Sequence, residues 1–339
     1  MEVAAGWTHK AFPIDDPSRV GEARRHAAQL AHEAAFGEVD AGRLALVVTE
    51  LGTNLSRHAS KGRLLVAARP HSGDIEVLSI DEGPGIADLQ RAMQDGQSSG
   101  STPGTGLGAV RRLASDFDIH TSVPAGTICL ARVRKSGFKD AAASAEFLIG
   151  AVCLPVAGEA VCGDGWAAAI DGTRLGLLVA DGLGHGPEAA KASLAATSVF
   201  SKHPFEGLRE TLQRVHVALK TTRGAAVCAL SIDAQASTVG YIGAGNVVGR
   251  VVSGVFDRSL VTQHGTAGVQ IRKPEQASME LPPHSLVIVH SDGIDTRWKS
   301  ARIAAALQSD PAIVAAILLR EHTRHRDDAT VVVVRRKRY

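Results

Sequence analysis

No stretch of about 18 uninterrupted apolar residues occurs in this chain, which excludes a membrane-spanning helix. The opening segment, Met1 to Lys10, holds no apolar core of the length a secretion signal needs. Cysteine is scarce. Its four copies, Cys129, Cys153, Cys162 and Cys228, form no C-x-x-C pair and no cluster with zinc spacing. Free buried thiols in a reducing cytosol are the expectation, and with them a cytoplasmic location. Excess charge of one sign is also lacking. Lys and Arg number 37 against 35 Asp and Glu, a net +2, which argues for neither nucleic acid nor an anionic membrane as partner. Only Arg335-Arg336-Lys337-Arg338 is a basic run, and it reads as a solvated terminus.

What remains is the composition of a globular protein, 45% hydrophobic and 21% charged, in 339 residues, enough for two domains. Gln94 to Gly108 is rich in Gly, Ser and Thr and reads as a mobile loop. Arg134 to Ser144 turns polar and then alanine-rich between two strand-like runs. The boundary falls there: a first domain over 1–135, a linker over 136–146 and a second domain over 147–335.

In the first half, Pro17 to Phe36 reads as a helix with Asp15 or Asp16 as N-cap. Asp40 is placed as the cap of a second helix to about Ala59, with Leu44, Val48, Leu51 and Leu55 as its apolar stripe. Strands are expected at Arg63–Ala68, Ile75–Ile80, Ile119–Val123 and Thr127–Val133, and a helix through Val110–Ala114. The second half is richer in strand: Phe147–Leu154, Trp166–Ile170, Leu175–Ala180, Ala226–Ile232, Thr238–Ile242, Val247–Val252, Leu286–His290 and Thr330–Val334. Helices fit Gly186–Phe200, Phe205–Leu219, Ala301–Leu307 and Ala312–Arg320. Strand runs separated by a helical pair indicate α+β architecture.

Three features of the first half bear on chemistry. Glu50 and Asn54 lie four apart on one helix face. An Asn oxygen suits Mg2+, and a carboxylate one turn earlier suits deprotonation of a hydroxyl. The strand Ile75–Ile80 runs into Asp81-Glu82-Gly83-Pro84-Gly85, where Asp81 can accept from an exocyclic amine and Gly83 and Gly85 let the chain approach a flat ligand. Gly104-Thr105-Gly106-Leu107-Gly108 then feeds a helix N-terminus, a cradle for phosphates.

The second half places aspartates at the ends of apolar runs: Asp164 in Gly163-Asp164-Gly165, Asp181 in Asp181-Gly182-Leu183-Gly184-His185-Gly186, Asp292 in Ser291-Asp292-Gly293, and Asp327 in Asp327-Asp328-Ala329-Thr330. Oxygen ligands of this kind suit Mg2+ or Mn2+, and a bridged cation pair suits phosphomonoester hydrolysis. Gly182 has no side chain to block its own carbonyl from a metal. His185 reads as structural in a Gly-rich turn, with proton transfer as its alternative.

Glu50-Leu51-Gly52-Thr53-Asn54, Asp81 to Gly85 and Gly104 to Gly108, in that order, resemble the three boxes of the GHKL ATP-binding superfamily over roughly residues 10 to 135. The short form is similar to the serine kinases that serve as anti-sigma factors, whose phosphorylated partner is a small STAS-domain protein. The aspartate series resembles the SpoIIE-like branch of the protein phosphatase 2C superfamily over roughly 145 to 335, whose members act on phosphorylated STAS-domain proteins with Mn2+ or Mg2+. The resemblances imply a GHKL α/β sandwich followed by an αββα sandwich. They make Glu50 the catalytic base, Asn54 the Mg2+ ligand of ATP, Asp81 the adenine contact, and Gly83, Gly85, Gly104, Gly106 and Gly108 the surrounding loops. They make Asp164, Asp181, Asp292 and Asp327, with the Gly182 carbonyl, the ligands of two ions, and Asp181 central to hydrolysis. Asp328 stands where many relatives have Asn and is a secondary candidate. No appended sensor, transmembrane or response-regulator segment is apparent. The expected function is a phosphatase for a phosphorylated STAS-domain partner, with the ATP-binding domain as the opposing kinase. The alternatives are ATP as regulator without kinase turnover, or a non-catalytic module that sequesters a sigma factor or scaffold.

Overall fold

Residues at the very start of the chain belong structurally with its second half. β1 (Glu2–Ala5) runs antiparallel to Asp164–Asp171, Ala5 opposite Ala167, and the Gly6 N–H continues the pairing onto the Trp166 carbonyl at 2.8 Å. The computed structural model, which describes residues 2–94, 106–138 and 146–337, accordingly divides into His9–Ala142 and a second unit of Met1–Thr8 with Ala143–Tyr339. The expected domain 1–135 therefore differs at its N-terminal end, because edge-strand hydrogen bonds draw the first residues into the other unit's sheet.

The N-terminal unit contains β2 (Lys10–Pro13), α1 (Ser18–Glu33), α2 (Glu38–His58), β3 (Arg63–Arg69), β4 (Asp74–Ile80), α3 (Leu89–Ala92), α4 (Leu107–Leu113), β5 (Asp116–Ser122) and β6 (Gly126–Arg134). Its antiparallel sheet has the order β2-β3-β4-β6-β5. Ala23, Ala27 and Ala31 of α1 and Leu44, Val47, Val48, Leu51 and Leu55 of α2 pack on Val66, Ile75, Val77, Ala131 and Val133. Small residues on α1 let it lie close to α2. The Asp16 carboxylate accepts from the Ser18 N–H at 2.7 Å at the start of α1. Asp40 does not cap α2. The helix begins two residues earlier, and the buried Asp40 carboxylate instead accepts from the Ser136 N–H at 2.8 Å and from Arg43 at 3.1 Å.

The C-terminal unit continues with β7 (Phe147–Leu154), β8 (Asp164–Asp171), β9 (Arg174–Gly182), α5 (Pro187–Lys202), α6 (Leu208–Leu219), β10 (Ala225–Asp233), β11 (Thr238–Ala244), β12 (Val248–Val252), β13 (Asp257–Leu260), β14 (Gly265–Thr266), β15 (Gln270–Ile271), β16 (Ala277–Glu280), β17 (Leu286–His290), α7 (Pro311–His322) and β18 (Ala329–Arg336). One sheet has the order β1-β8-β9-β10-β11-β16 and a second β13-β12-β17-β18-β7. Ala192, Ala196 and Phe200 of α5 and Leu212, Val215 and Leu219 of α6 cover the first sheet through Leu178, Val227, Ala229 and Ile242. The almost wholly buried α7 covers the second. Gly150 permits this approach: a Cβ there would stand 2.0 Å from the Ala312 nitrogen. The result is the αββα layering. Where a helix is expected over Ala301–Leu307, two 3-10 turns form, Ser300–Arg302 and Ala304–Ala306. All four cysteines are free and buried, with the Cys153 and Cys162 sulfurs 3.5 Å apart. Among the described residues no helix is long and apolar enough to cross a membrane.

Candidate functional site

Pairing of β8 with β9 sets Asp164 directly opposite Asp181. In the other sheet, β17 ends at His290 opposite Val331 of β18, so Asp292 and Asp327 leave the same end of that strand pair. The four carboxylates thus converge on one edge of the sandwich. Ser291 joins the two sheets there: its Oγ donates to Asp164 at 2.6 Å and accepts from the Thr330 N–H at 3.0 Å. The Asp292 N–H donates to Asp181, and Asn246 donates to the Asp292 carboxylate at 2.5 Å.

Electrostatics identify what the cluster lacks. Burial, then the charges of Asp164, Asp292 and Asp327, push the Asp181 carboxyl up to about 9. Burial pushes Asp164 up to about 7, with Asp328 and Asp327 adding and Ser291 and Thr330 opposing. Asp292 is raised by burial and by Asp327, against Arg324. Among the described residues no Lys or Arg forms an ion pair with Asp164, Asp181 or Asp327. Buried like charges without a partner are costly, and an all-oxygen donor set at such a point suits a hard divalent cation. The fit is one of charge and donor type. Among the described residues no three His, Cys, Asp or Glu side chains close a metal cage by themselves.

The glycines of these motifs have a steric reason. A Cβ on Gly182 would fall 2.1 Å from the Ala189 carbonyl oxygen of α5, and one on Gly293 2.0 Å from the Asp328 oxygen. Asp328 is engaged elsewhere than at the cluster: it accepts from the Val156 and Gly163 N–H groups, both at 2.7 Å, and so fixes the loop leading to Asp164. His185 is exposed and bonded through Nδ1 to Glu159 at 2.7 Å.

In the N-terminal unit, Glu50 and Asn54 are half-buried one turn apart on α2, beside Leu51 and Leu55. The turn after β4 is pinned to the end of that helix. The Glu82 N–H donates to the Ser60 carbonyl at 2.9 Å, and the Asp81 N–H to Thr127 at 3.0 Å. Asp81 Oδ1 accepts from the Gly83 N–H at 2.7 Å. Gly85 has φ +75°, and a Cβ there would lie 2.6 Å from the Ser122 oxygen, so only glycine fits. Gly106 is the N-cap of α4 and Gly108 is buried within it; Gly104 lies outside the described residues. Arg43 ties α4 to α2 by donating to the Leu113 carbonyl at 2.9 and 2.6 Å.

Sequence reasoning missed Ser291, Thr330 and Asn246 in the acidic site and Thr121 at the turn after β4, where its Oγ accepts from the Ile86 N–H at 2.8 Å. Ser291 and Thr330 stand inside motifs already singled out; Asn246 carries no such signal.

With this geometry in hand, comparison with known proteins gives two family matches: the histidine kinase-like ATPase domain over residues 14–133 and stage II sporulation protein E (SpoIIE) over 171–337. The serine/threonine-protein kinase RsbT of Bacillus subtilis (strain 168) is 35% identical over 108 residues, which are 31% of this chain and 80% of RsbT. Among solved structures, a chain of the bacterial stressosome, a modular system adapted to control secondary messenger signaling, superposes with a TM-score of 0.53 at 26% identity. That match covers 56% of this chain and 99% of the other. RsbX in complex with magnesium superposes with a TM-score of 0.51 at 23% identity, over 56% and 96%, a likeness of fold.

Proposed function

The chain belongs, through its N-terminal unit, to the histidine kinase-like ATPases of the RsbT kind and carries a SpoIIE-type protein serine/threonine phosphatase domain behind it; from that premise we propose a partner-switching enzyme that removes phosphate from a STAS-domain protein and, at its other site, adds it. The observation that carries the phosphatase half is the set of four mutually repelling carboxylates, Asp164 buried and Asp181, Asp292 and Asp327 half-buried. Asp164, Asp181, Asp292, Asp327 and the Gly182 carbonyl would hold Mn2+ or Mg2+. Bound there, such ions supply charge neutralisation and a nucleophile at neutral pH. The protein's part is positional. Ser291 holds Asp164 across the two sheets, and Asp328 holds the loop before it. In the ATP-binding unit, Glu50 would take the proton of the partner's serine hydroxyl and Asn54 would hold the Mg2+ of ATP. Asp81 would accept from the adenine amine, and Gly104, Gly106 and Gly108, at and before the start of α4, would meet the phosphates. The proposed setting is the cytoplasm.

Asp181→Asn is expected to reduce Mn2+-dependent release of phosphate from a phosphoserine STAS-domain protein by more than the about 100-fold that loss of an outer metal-site partner costs. A wild-type rate in that variant rejects the assignment. A second reading has one observation in its favour. β1 lies in the phosphatase sheet yet is joined through Gly6 to His9 directly to β2 of the ATP-binding unit, a connection through which ATP could gate the phosphatase without kinase turnover.

A further inference from the structure

The turn before β10 is clamped against the loop that follows Asp181. The Leu183 N–H donates to the Gly224 carbonyl at 3.0 Å, and Ala225 and Ala267 exchange hydrogen bonds of 3.0 and 2.8 Å. Thr222 Oγ donates to the Leu219 carbonyl at 2.7 Å and accepts from the Gly224 N–H at 3.0 Å. Gly224 has φ +87°, and a Cβ on it would stand 2.7 Å from the Ala267 oxygen. Arg223 rides on this fixed turn, exposed, and its Nη1 reaches to 3.5 Å from where a Cβ on Gly184 would be. Its guanidinium therefore stands beside Gly184, in the loop that follows Asp181 and Gly182. Among the described residues Arg223 makes no hydrogen bond or ion pair. Arg250 and Arg324 are engaged, Arg250 with Asp257 at 2.6 Å and over the Trp298 ring, and Arg324 with Asp295 at 4.0 Å.

Charge balance gives this arginine a task. Four ionised carboxylates are offset by two divalent cations, and a phosphoserine then brings about −1.5 to −2 more. A planar guanidinium donates in parallel to two phosphate oxygens, geometry that a lysine lacks. We propose that Arg223 is a substrate-binding residue that grips the phosphate of the phosphoserine substrate at the mouth of the acidic site. This inference rests on the phosphatase reading above.

The test uses the full chain with Mn2+, a phosphoserine peptide, and the same peptide with a non-hydrolysable phosphonate in which CH2 replaces the bridging oxygen. Arg223→Ala is expected to raise KM, and the Kd for the phosphonate peptide measured by fluorescence anisotropy, by about tenfold or more. The unfolding temperature should stay unchanged, kcat should change much less, and Arg223→Lys should fall between. Unchanged KM and Kd in Arg223→Ala, with an active wild type, overturn this proposal alone. Equal weakening in both variants with a lowered unfolding temperature assigns a structural role and also overturns it. No phosphoserine hydrolysis by the wild-type chain overturns the phosphatase reading and this proposal with it.

Discussion

Asp181 has a carboxylate for every near charged neighbour named in its electrostatics, and its half-burial adds to their effect. Its carboxyl, pushed up to about 9 in the folded chain, has an ordinary value near 4 once unfolded. The sign follows. Below the unfolded value the group is protonated in both states and costs nothing. As pH rises toward the folded value the unfolded chain releases its proton while the folded one keeps it, so stability falls. The metal-free C-terminal unit is therefore expected to lose stability as pH rises from about 5 to 9, by on the order of 1 kcal/mol per pH unit. Excess Mn2+, the proposed ligand of the folded site, should restore more at high pH than at low. Thermal unfolding in EDTA and in Mn2+ across that range measures both. Stability that is flat or rising with pH in EDTA, or an Asp181→Asn chain with the same slope as wild type, contradicts the account.

At the scale of elements, β1 and the residues after it form the least expected part of the architecture. Trp7, buried just beyond β1, meets Trp166 of β8 edge-on at 4.6 Å between ring centroids. Trp7→Ala should therefore destabilise the phosphatase unit by about 3–5 kcal/mol, although Trp7 stands before the ATP-binding unit in the sequence. All three tryptophans, Trp7, Trp166 and Trp298, belong to the C-terminal unit, so denaturant unfolding followed by tryptophan fluorescence reports that unit alone. A midpoint equal to wild type would remove β1 and Trp7 from the list of its supports. The same elements mark where the sequence is legible. Phe147–Leu154 and Leu286–His290 are continuous apolar runs, buried throughout except at the half-buried Leu148 and Ile149, and their limits are readable to the residue. Glu2–Ala5, Asp257–Leu260 and Ala277–Glu280 are edge strands whose side chains carry little periodicity. What fixes them is backbone pairing to distant partners, which no local pattern encodes. Three of the acidic motifs announce themselves by glycine beside Asp164, Asp181 and Asp292, and the fourth by the adjacent acids Asp327 and Asp328. Ser291 and Asn246 do not, because their partners Asp164 and Asp292 lie 127 and 46 residues away.

On the scale of the whole molecule, the chemistries proposed for the two units would undo one another. If Glu50 serves kinase turnover and Asp181 serves hydrolysis, the phosphorylated fraction of a shared partner depends on the ratio of two rates and not on either alone. Wild-type protein given Mg-ATP, Mn2+ and a STAS-domain protein should then consume ATP continuously while little labelled phosphoprotein accumulates. Asp181→Asn should let label from γ-labelled ATP build up to about one phosphate per partner, and adding Glu50→Ala to it should abolish that label. Glu50→Ala alone should leave phosphoserine release intact. A different outcome separates the readings. If Asp181→Asn yields no labelled partner while Mg-ATP still raises its unfolding temperature, the ATP site binds without transferring. In that case the phosphatase rate of the wild-type chain should change with ATP. The continuous passage from β1 through His9 into β2 then supplies the path: Trp7→Ala, which loosens the phosphatase end of that connection, should weaken the response to ATP more than it changes the rate without it.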